Sequence, residues 1–80
     1  MRKSLTCLIV DDMQNIRTVV KQILFNLGCT SVLEAPSGED ALKQLSIHAV
    51  DLVLLDCILP QMSGIACLKA IRSDPKTSRI

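Results

Sequence analysis

Residues 5–12 read LTCLIVDD, a short apolar segment that ends on two carboxylates. Residues 50–56 read VDLVLLD and repeat that form, with a nearly continuous apolar run before a carboxylate. Short runs of Ile, Val and Leu are typical of buried strands, although periodicity alone does not separate them from buried helix. A more polar run, TSVLEA at residues 30–35, fits a strand at the edge of a sheet. We therefore predict strands at residues 5–10, 30–35 and 50–55.

Three helices are predicted between and after these strands. The first has an apolar stripe that steps by three or four residues: Met13, Ile16, Val19, Val20, Ile23, Leu24 and Leu27. This spacing keeps one helix face apolar, so we expect it in the core, and Gly28 supplies a left-handed stop. Ser37 with Asp40 three residues later is a helix-start signature. The second and third helices have shorter stripes: Ala41, Leu42 and Leu45, then Ile65, Leu68 and Ile71.

Strands that alternate with helices predict an α/β fold whose parallel sheet is covered on both faces. Right-handed crossovers put the first helix on one face and the other two on the opposite face. If the first strand lies between the others, the strand order is 2-1-3, and ligand sites form at the carboxyl ends of the strands at that switch point. Asp11 and Asp12 follow the first strand and Asp56 follows the third. The pattern therefore predicts three carboxylates around one crevice.

Three carboxylates that lie close together must hold a proton, raise a pKa or recruit a cation, because like charges repel. Oxygen donors without His or Cys favour a hard ion such as Mg²⁺. A carboxylate can also attack phosphorus to give an aspartyl-phosphate. Asp56 is the candidate nucleophile, and Asp11 and Asp12 are the candidate metal ligands. Each aspartate taken alone is more simply interpreted as a helix cap or turn former, so the combination carries the hypothesis.

Other reactive residues are interpreted as structural or exposed. Asp40, Asp51 and Asp74 fit a helix start, a strand start and a helix end, and His48 fits a surface position. No glycine-rich loop follows either apolar strand, which argues against a P-loop or a dinucleotide fingerprint. No G-x-S-x-G elbow is present, and Cys57 has no general base beside it.

Length and composition narrow the function further. The 80 residues make one small domain at most, with a net charge of +1 and one aromatic residue. The near-neutral charge and the scarcity of aromatic side chains argue against a nucleic-acid partner. No apolar run approaches a membrane span, and residues 11–12 interrupt the first run before it reaches signal-peptide length. The four cysteines have no C-x-x-C spacing, so we expect reduced thiols in a cytoplasmic protein.

Three segments carry a resemblance to a known family: LIVDD at residues 8–12 with Arg17 following, APSGEDAL at 35–42, and DLVLLDCILPQMSG at 51–64. The last is the most specific, since its Asp, Pro, Met and Gly fall at the family's spacing. On these segments the chain resembles, over essentially its whole length, the receiver domain of two-component response regulators. The resemblance implies a flavodoxin-like parallel sheet and a phosphoacceptor role in a phosphorelay.

The resemblance also implies roles for individual residues. Asp56 would accept a phosphoryl group from a phosphohistidine on a sensor histidine kinase or a histidine phosphotransfer protein. Asp12 and Asp56 would bind Mg²⁺ directly, together with the backbone carbonyl of Ile58, and Asp11 would help through water. A receiver takes part in its own phosphorylation, yet we predict a signalling module and not an enzyme.

The sequence also departs from the family pattern. Receivers have five β-α units and this sequence has three, so residues 1–80 are expected to be the N-terminal part of a single receiver domain. The family's hydroxyl residue after strand four, and its lysine and aromatic switch residue of strand five, are not among them. The apolar third strand would be an edge, and we expect self-association through it or failure to fold alone.

Two alternatives remain to the phosphoacceptor hypothesis. One is a non-phosphorylated pseudo-receiver or half-domain that acts as a dimerisation module. The other, a metal-dependent phosphohydrolase, is disfavoured because residues 11–13 read DDM and lack an Asp-x-Asp arrangement.

Overall fold

The computed structural model of this protein describes residues 4–80. Strands and helices alternate along the chain: β1 (Thr6–Val10), α1 (Gln14–Asn26), β2 (Ser31–Ala35), α2 (Gly38–Ile47), β3 (Leu52–Leu55) and α3 (Gly64–Ser73). The strands form one parallel sheet in the order β2-β1-β3. This order confirms the predicted α/β fold and the edge position of β2. Among the described residues, no helix is long and apolar enough to cross a lipid bilayer.

The strand β3 begins two residues later than predicted, at Leu52. Hydrogen bonding to β1 nevertheless begins one residue before the strand, because Asp51 N donates to Thr6 O at 2.8 Å. The Asp51 carboxylate accepts from Thr6 N at 2.9 Å in return. A side chain therefore replaces one partner of the ladder, and Asp51 has the structural role at the strand start that the sequence predicted.

The central strand β1 divides the core into two layers. Leu8 and Val10 point to one side and pack with residues of α2 and α3, which include Leu45 and Cys67. The alternate residues of β1, Cys7 and Ile9, point to the other side and pack with Leu24 of α1. Successive strand residues face opposite sides of a sheet. The helices thus lie on the faces that right-handed crossovers predict.

The apolar stripe of α1, which the sequence predicts in the core, is only partly buried. Leu24 is buried and Val20 is half-buried, but the other stripe residues are 40–78% exposed: Met13, Ile16, Val19, Ile23 and Leu27. The helix packs mainly over β1 and β2. On the same face of the sheet, Leu52 and Leu54 of β3 are 40% and 37% exposed. This side of the described residues therefore keeps an uncovered apolar surface.

The helix ends follow the predicted signals. At the end of α1, Gly28 has φ of +105°. Its N–H donates to Phe25 O at 3.1 Å, and Cys29 N donates to Leu24 O at 3.0 Å. This pair of bonds is the Schellman arrangement, which needs a left-handed residue. At the start of α2, Ser37 Oγ accepts from Asp40 N at 3.1 Å, as the helix-start signature predicts.

Candidate metal centre

The predicted acidic residues lie at the carboxyl ends of neighbouring strands. Asp11 follows β1, and its N–H donates to Ala35 O of β2 at 3.1 Å. Asp56 follows β3, and its N–H donates to Val10 O of β1 at 3.0 Å. The parallel ladder thus continues past the strand ends and fixes the backbone of both aspartates. Their positions are set by the sheet and not by the loops alone.

The structure brings the carboxylates of Asp11, Asp12 and Asp56 together. One oxygen atom from each lies within 4.8 Å of the others, with Asp11 and Asp56 half-buried and Asp12 exposed. Unit negative charges at this distance repel by about 1 kcal/mol in water and about 3–4 kcal/mol at the edge of a protein. A divalent cation with oxygen ligands would remove that repulsion. Within residues 4–80, no other group of His, Cys, Asp and Glu is gathered in this way.

Two of the carboxylates are oriented by their own loops. Asp11 Oδ1 accepts a hydrogen bond from Met13 N at 2.9 Å, and Asp56 Oδ1 accepts from Ile58 N at 3.1 Å. Each is an Asx turn, in which the side chain bonds the backbone two residues on. Ile58 therefore lies beside the cluster through its N–H, while its carbonyl as a metal ligand stays a prediction.

Arg17 stabilises the backbone beneath the cluster, a role that sequence reasoning missed. Its Nη1 donates to Asp11 O at 2.7 Å, and its Nε donates to Glu34 Oε1 of β2 at 3.1 Å. Lys21 also approaches Glu34, at 3.5 Å. The guanidinium thus ties α1 to β2 and to the residue that follows β1. Its position after the two acidic residues was noted in the sequence, but only the fold reveals its two acceptors.

The loop between β3 and α3 holds Asp56 through a close backbone approach. A Cβ atom on Gly64 would lie 2.0 Å from Asp56 O and 2.7 Å from Cys57 Cα. Gly64 N donates to Cys57 O at 3.1 Å. Glycine is therefore required because the backbone of α3 packs directly on the backbone of the acidic residue. In the sequence Gly64 was noted for the spacing that it shares with the family, and nothing there shows this contact.

The tip of the same loop is a strained turn. Gln61 has φ of +66°, and Met62 N donates to Pro60 O at 2.7 Å. A bond from residue i+2 back to residue i, around a central residue with positive φ, is the less common form of γ-turn. Met62 then packs on the α2–α3 side of the core. The loop is thus anchored by an apolar side chain in addition to its glycine.

The residues interpreted as structural or exposed are not members of the cluster. Asp40 lies in the first turn of α2 and accepts from Gln44 Nε2 at 3.0 Å. Asp74 caps the end of α3 and accepts from Lys76 N at 3.0 Å. His48 is exposed where α2 ends, and Cys57 is exposed beside Asp56. These placements agree with the sequence interpretation.

Comparison with known proteins identifies the family. The family model of the response regulator receiver domain matches residues 7–80 of the sequence. The chain belongs to that family. As a receiver, it is 40% identical over 73 residues to the chemotaxis protein CheY of Bacillus subtilis (strain 168), which covers 91% of this chain and 61% of that protein.

Solved receiver structures have the same fold. The N-terminal domain of a response regulator receiver protein from Methanoculleus marisnigri JR1 is 39% identical, with a TM-score of 0.88, over 94% of this chain and 60% of that one. TrrA from Thermotoga maritima, solved in complex with Mg²⁺-BeF, is 38% identical with a TM-score of 0.85, over 90% and 62%. The chain therefore spans about three-fifths of the length of these relatives. The family, its fold and its place in two-component signalling agree with the sequence prediction.

Proposed function

We propose that this receiver accepts a phosphoryl group on Asp56, in a reaction that depends on Mg²⁺. The observation that carries the proposal is the convergence of three carboxylate oxygens within 4.8 Å at the carboxyl edge of the sheet. The donor set fits the ion, because Mg²⁺ prefers oxygen ligands and keeps positions for water and phosphate. Asp12 and Asp56 would hold it with the carbonyl of Ile58, and Asp11 through water. Bound there, Mg²⁺ supplies positive charge for the phosphoryl oxygens.

The residues of the loop prepare Asp56 for attack. Its Oδ1 is engaged by Ile58 N, which leaves Oδ2 as the nucleophile. The phosphodonor would be a phosphohistidine on a sensor histidine kinase or a histidine phosphotransfer protein. A P–O bond to Oδ2 forms as the P–N bond breaks, and the imidazole leaves with a proton from solvent. Receiver relatives support this direction of transfer, since the chain belongs to a two-component family.

Residues 1–80 are proposed to be the N-terminal part of a single receiver domain, because relatives extend beyond the matched region. Phosphoacceptor activity of the whole protein is therefore part of the same proposal. The proposal is tested first through Mg²⁺ binding, which needs only the three carboxylates and the carbonyl of Ile58. Isothermal titration should detect binding to this chain and a loss of at least about tenfold in affinity for Asp12→Asn, because a direct charged ligand is removed.

Phosphorylation is tested by incubating the chain with Mg²⁺ and acetyl phosphate and measuring its intact mass. We expect a single phosphoryl adduct that is absent from Asp56→Asn and absent when the metal is chelated. Asp74→Asn is the matched control, because Asp74 is an acidic residue outside the cluster whose turn asparagine can also form. An adduct that persists in Asp56→Asn would contradict the assignment. So would a Mg²⁺ affinity that is unchanged when Asp12 or Asp56 is replaced by asparagine.

A second candidate function, a dimerisation module, is favoured by the outer edge of β3. Within the described residues, β3 pairs only with β1, and Leu52 and Leu54 are exposed beside its free backbone. An exposed apolar edge strand of this kind is a template for pairing with another strand. We propose that a second copy of the chain occupies it, with β3 against β3.

Sedimentation velocity over a range of concentrations tests this pairing. The proposal predicts a dimer that Leu54→Lys dissociates, because a charge on an edge strand blocks pairing. Leu27→Lys is the control, since Leu27 is exposed at the C-cap of α1, which packs over β1 and β2. A chain that stays monomeric at all concentrations, or a dimer that Leu27→Lys disrupts equally, would rule out pairing through β3.

A further inference from the structure

Two buried thiols lie unusually close together on the α1 side of the sheet. Cys7 Sγ and Cys29 Sγ are 2.7 Å apart, and the two residues are 0% and 7% exposed. Non-bonded heavy atoms settle at about 3.5–4.0 Å, whereas a disulfide bond is about 2.05 Å long. The pair is therefore well inside ordinary packing distance. Only a small movement separates it from a covalent bond.

The fold brings these cysteines together from distant parts of the chain. Cys7 lies in β1 on the face that α1 covers, where it packs with Leu24 and Cys29. Cys29 is the third residue after the end of α1, and its N–H donates to Leu24 O in the Schellman arrangement. In that arrangement this position makes an apolar contact with the last turn of the helix. The positive φ of Gly28 thus directs the Cys29 side chain back onto β1.

We propose that Cys7 and Cys29 are a thiol oxidation site that closes to an intramolecular disulfide, with hydrogen peroxide as the oxidant. The other cysteines are excluded by their positions. Cys67 packs in the core layer on the opposite face of the sheet, and Cys57 is exposed in the loop after β3. The sheet itself therefore selects one partner for Cys7.

The reaction balances in two steps. The thiolate of Cys29, the more accessible of the two, attacks one peroxide oxygen; the O–O bond breaks, and hydroxide leaves and takes up a proton as water. Cys29 is then a sulfenic acid. The sulfur of Cys7 attacks the sulfur of Cys29, an S–S bond forms and the S–O bond breaks, and the leaving hydroxide takes the Cys7 proton as a second water. Two thiols and one peroxide thus give one disulfide and two waters.

The environment assigns the order of these steps. Burial, followed by the contact with Cys29, raises the pKa of the Cys7 thiol to about 12. Cys7 is therefore a poor initial nucleophile, because thiolates and not thiols react with peroxide. It is well placed as the resolving thiol, since its sulfur already touches that of Cys29. The resulting bond would tie β1 to the end of α1.

The test uses the full chain carrying Cys57→Ser, which prevents disulfides between copies. The reduced protein is treated with hydrogen peroxide, denatured, alkylated and digested with trypsin without reductant. Cys7 lies on the tryptic peptide 4–17, Cys29 on 22–43 and Cys67 on 44–69. We expect 4–17 to be linked to 22–43, Cys67 to be alkylated, and dithiothreitol to reverse the link. Cys67→Ala should retain the link and Cys29→Ala should abolish it.

A second experiment tests whether the disulfide forms because the fold holds Cys7 beside Cys29, and not because any two cysteines collide by chance. The same oxidation in urea should also link 22–43 to 44–69, because the unfolded chain does not select a partner. The oxidised folded chain should melt at least about 5 °C higher than the reduced one, since the bond restricts the unfolded state. A native digest with the same mixture of links as in urea would overturn the proposal. So would alkylation of both Cys7 and Cys29 under conditions that fully oxidise Cys57 in the unsubstituted chain.

Discussion

Replacing Gly64 by alanine should destabilise the protein strongly, while the same change at Gly38 should be mild. The two glycines occupy the same local position, the first residue of a helix after a serine cap, at Ser63 and Ser37. Neither has a positive φ. Helix propensity and chain entropy therefore favour alanine equally at both sites, by about 0.4–1 kcal/mol. Any difference between the two variants comes from tertiary contacts.

Those contacts differ in kind. At Gly64 the added Cβ would lie 2.0 Å from Asp56 O, 2.7 Å from Cys57 Cα and 2.9 Å from Asp56 C, all backbone atoms. Overpacking typically costs about 1–3 kcal/mol. Because backbone atoms cannot move aside easily, we expect Gly64→Ala to lower the free energy of unfolding by about 3 kcal/mol or more. At Gly38 the nearest atom is Met62 Sδ at 2.9 Å. A thioether chain can rotate away, so we expect at most about 1 kcal/mol.

Thermal unfolding followed by far-UV circular dichroism measures the difference. In a domain of this size 1 kcal/mol shifts the midpoint by about 4–8 °C, so Gly64→Ala should lower it by about 12 °C or more and Gly38→Ala by less than about 8 °C. Mg²⁺ affinity should fall only for Gly64→Ala, because that Cβ displaces the backbone of Asp56. Equal midpoints for the two variants would refute the reasoning.

Three further predictions concern other parts of the molecule. Gln61→Gly should stabilise the chain relative to Gln61→Ala in urea unfolding, because glycine relieves a positive φ that costs about 1–3 kcal/mol for other residues; equal midpoints would contradict the strain. Glu34→Gln should reduce the free energy of unfolding by about 0.5–1 kcal/mol at low salt and by less at high salt, because it weakens the ion pair with Arg17. The reduced protein should lose stability as the pH rises from 9.0 towards about 12, because burial and then the contact with Cys29 raise the pKa of the Cys7 thiol, which keeps its proton in the fold after the unfolded chain has released it. Cys7→Ala should make that decline in stability less steep. A pH profile that is the same in both proteins would contradict the raised pKa of the Cys7 thiol.

Much of the fold could be predicted from local patterns. The apolar runs before Asp11 and Asp56 indicated strands, and the Ser37 cap and Gly28 marked helix ends that the structure confirms. These signals are local, because a strand or a cap depends on residues a few positions apart. The site followed from one topological rule, that parallel strands bring their carboxyl ends to one edge. Three acidic residues could be placed there without knowing a distance.

How far each residue of the α1 stripe is buried could not be predicted in the same way. Its stripe has regular helical spacing, yet Val19 and Ile23 are more exposed than Leu24. Periodicity reports which face of a helix is apolar, but it does not report how much of that face finds a partner. Here the helix covers β1 and β2 and leaves Leu54 of β3 uncovered. That outcome depends on where a helix crosses the sheet.

By itself, the order of residues determined the alternation of strands and helices and, once the first strand is taken as central, the acidic edge, because these depend on short-range chemistry and chain handedness. The tertiary structure alone decided which glycine touches backbone, which acceptors Arg17 finds and which cysteine meets Cys7. Gly38 and Gly64 are equivalent in their local sequence setting and differ only in what lies opposite them. Contacts between residues far apart in the chain are set by packing in three dimensions, and no local pattern encodes them.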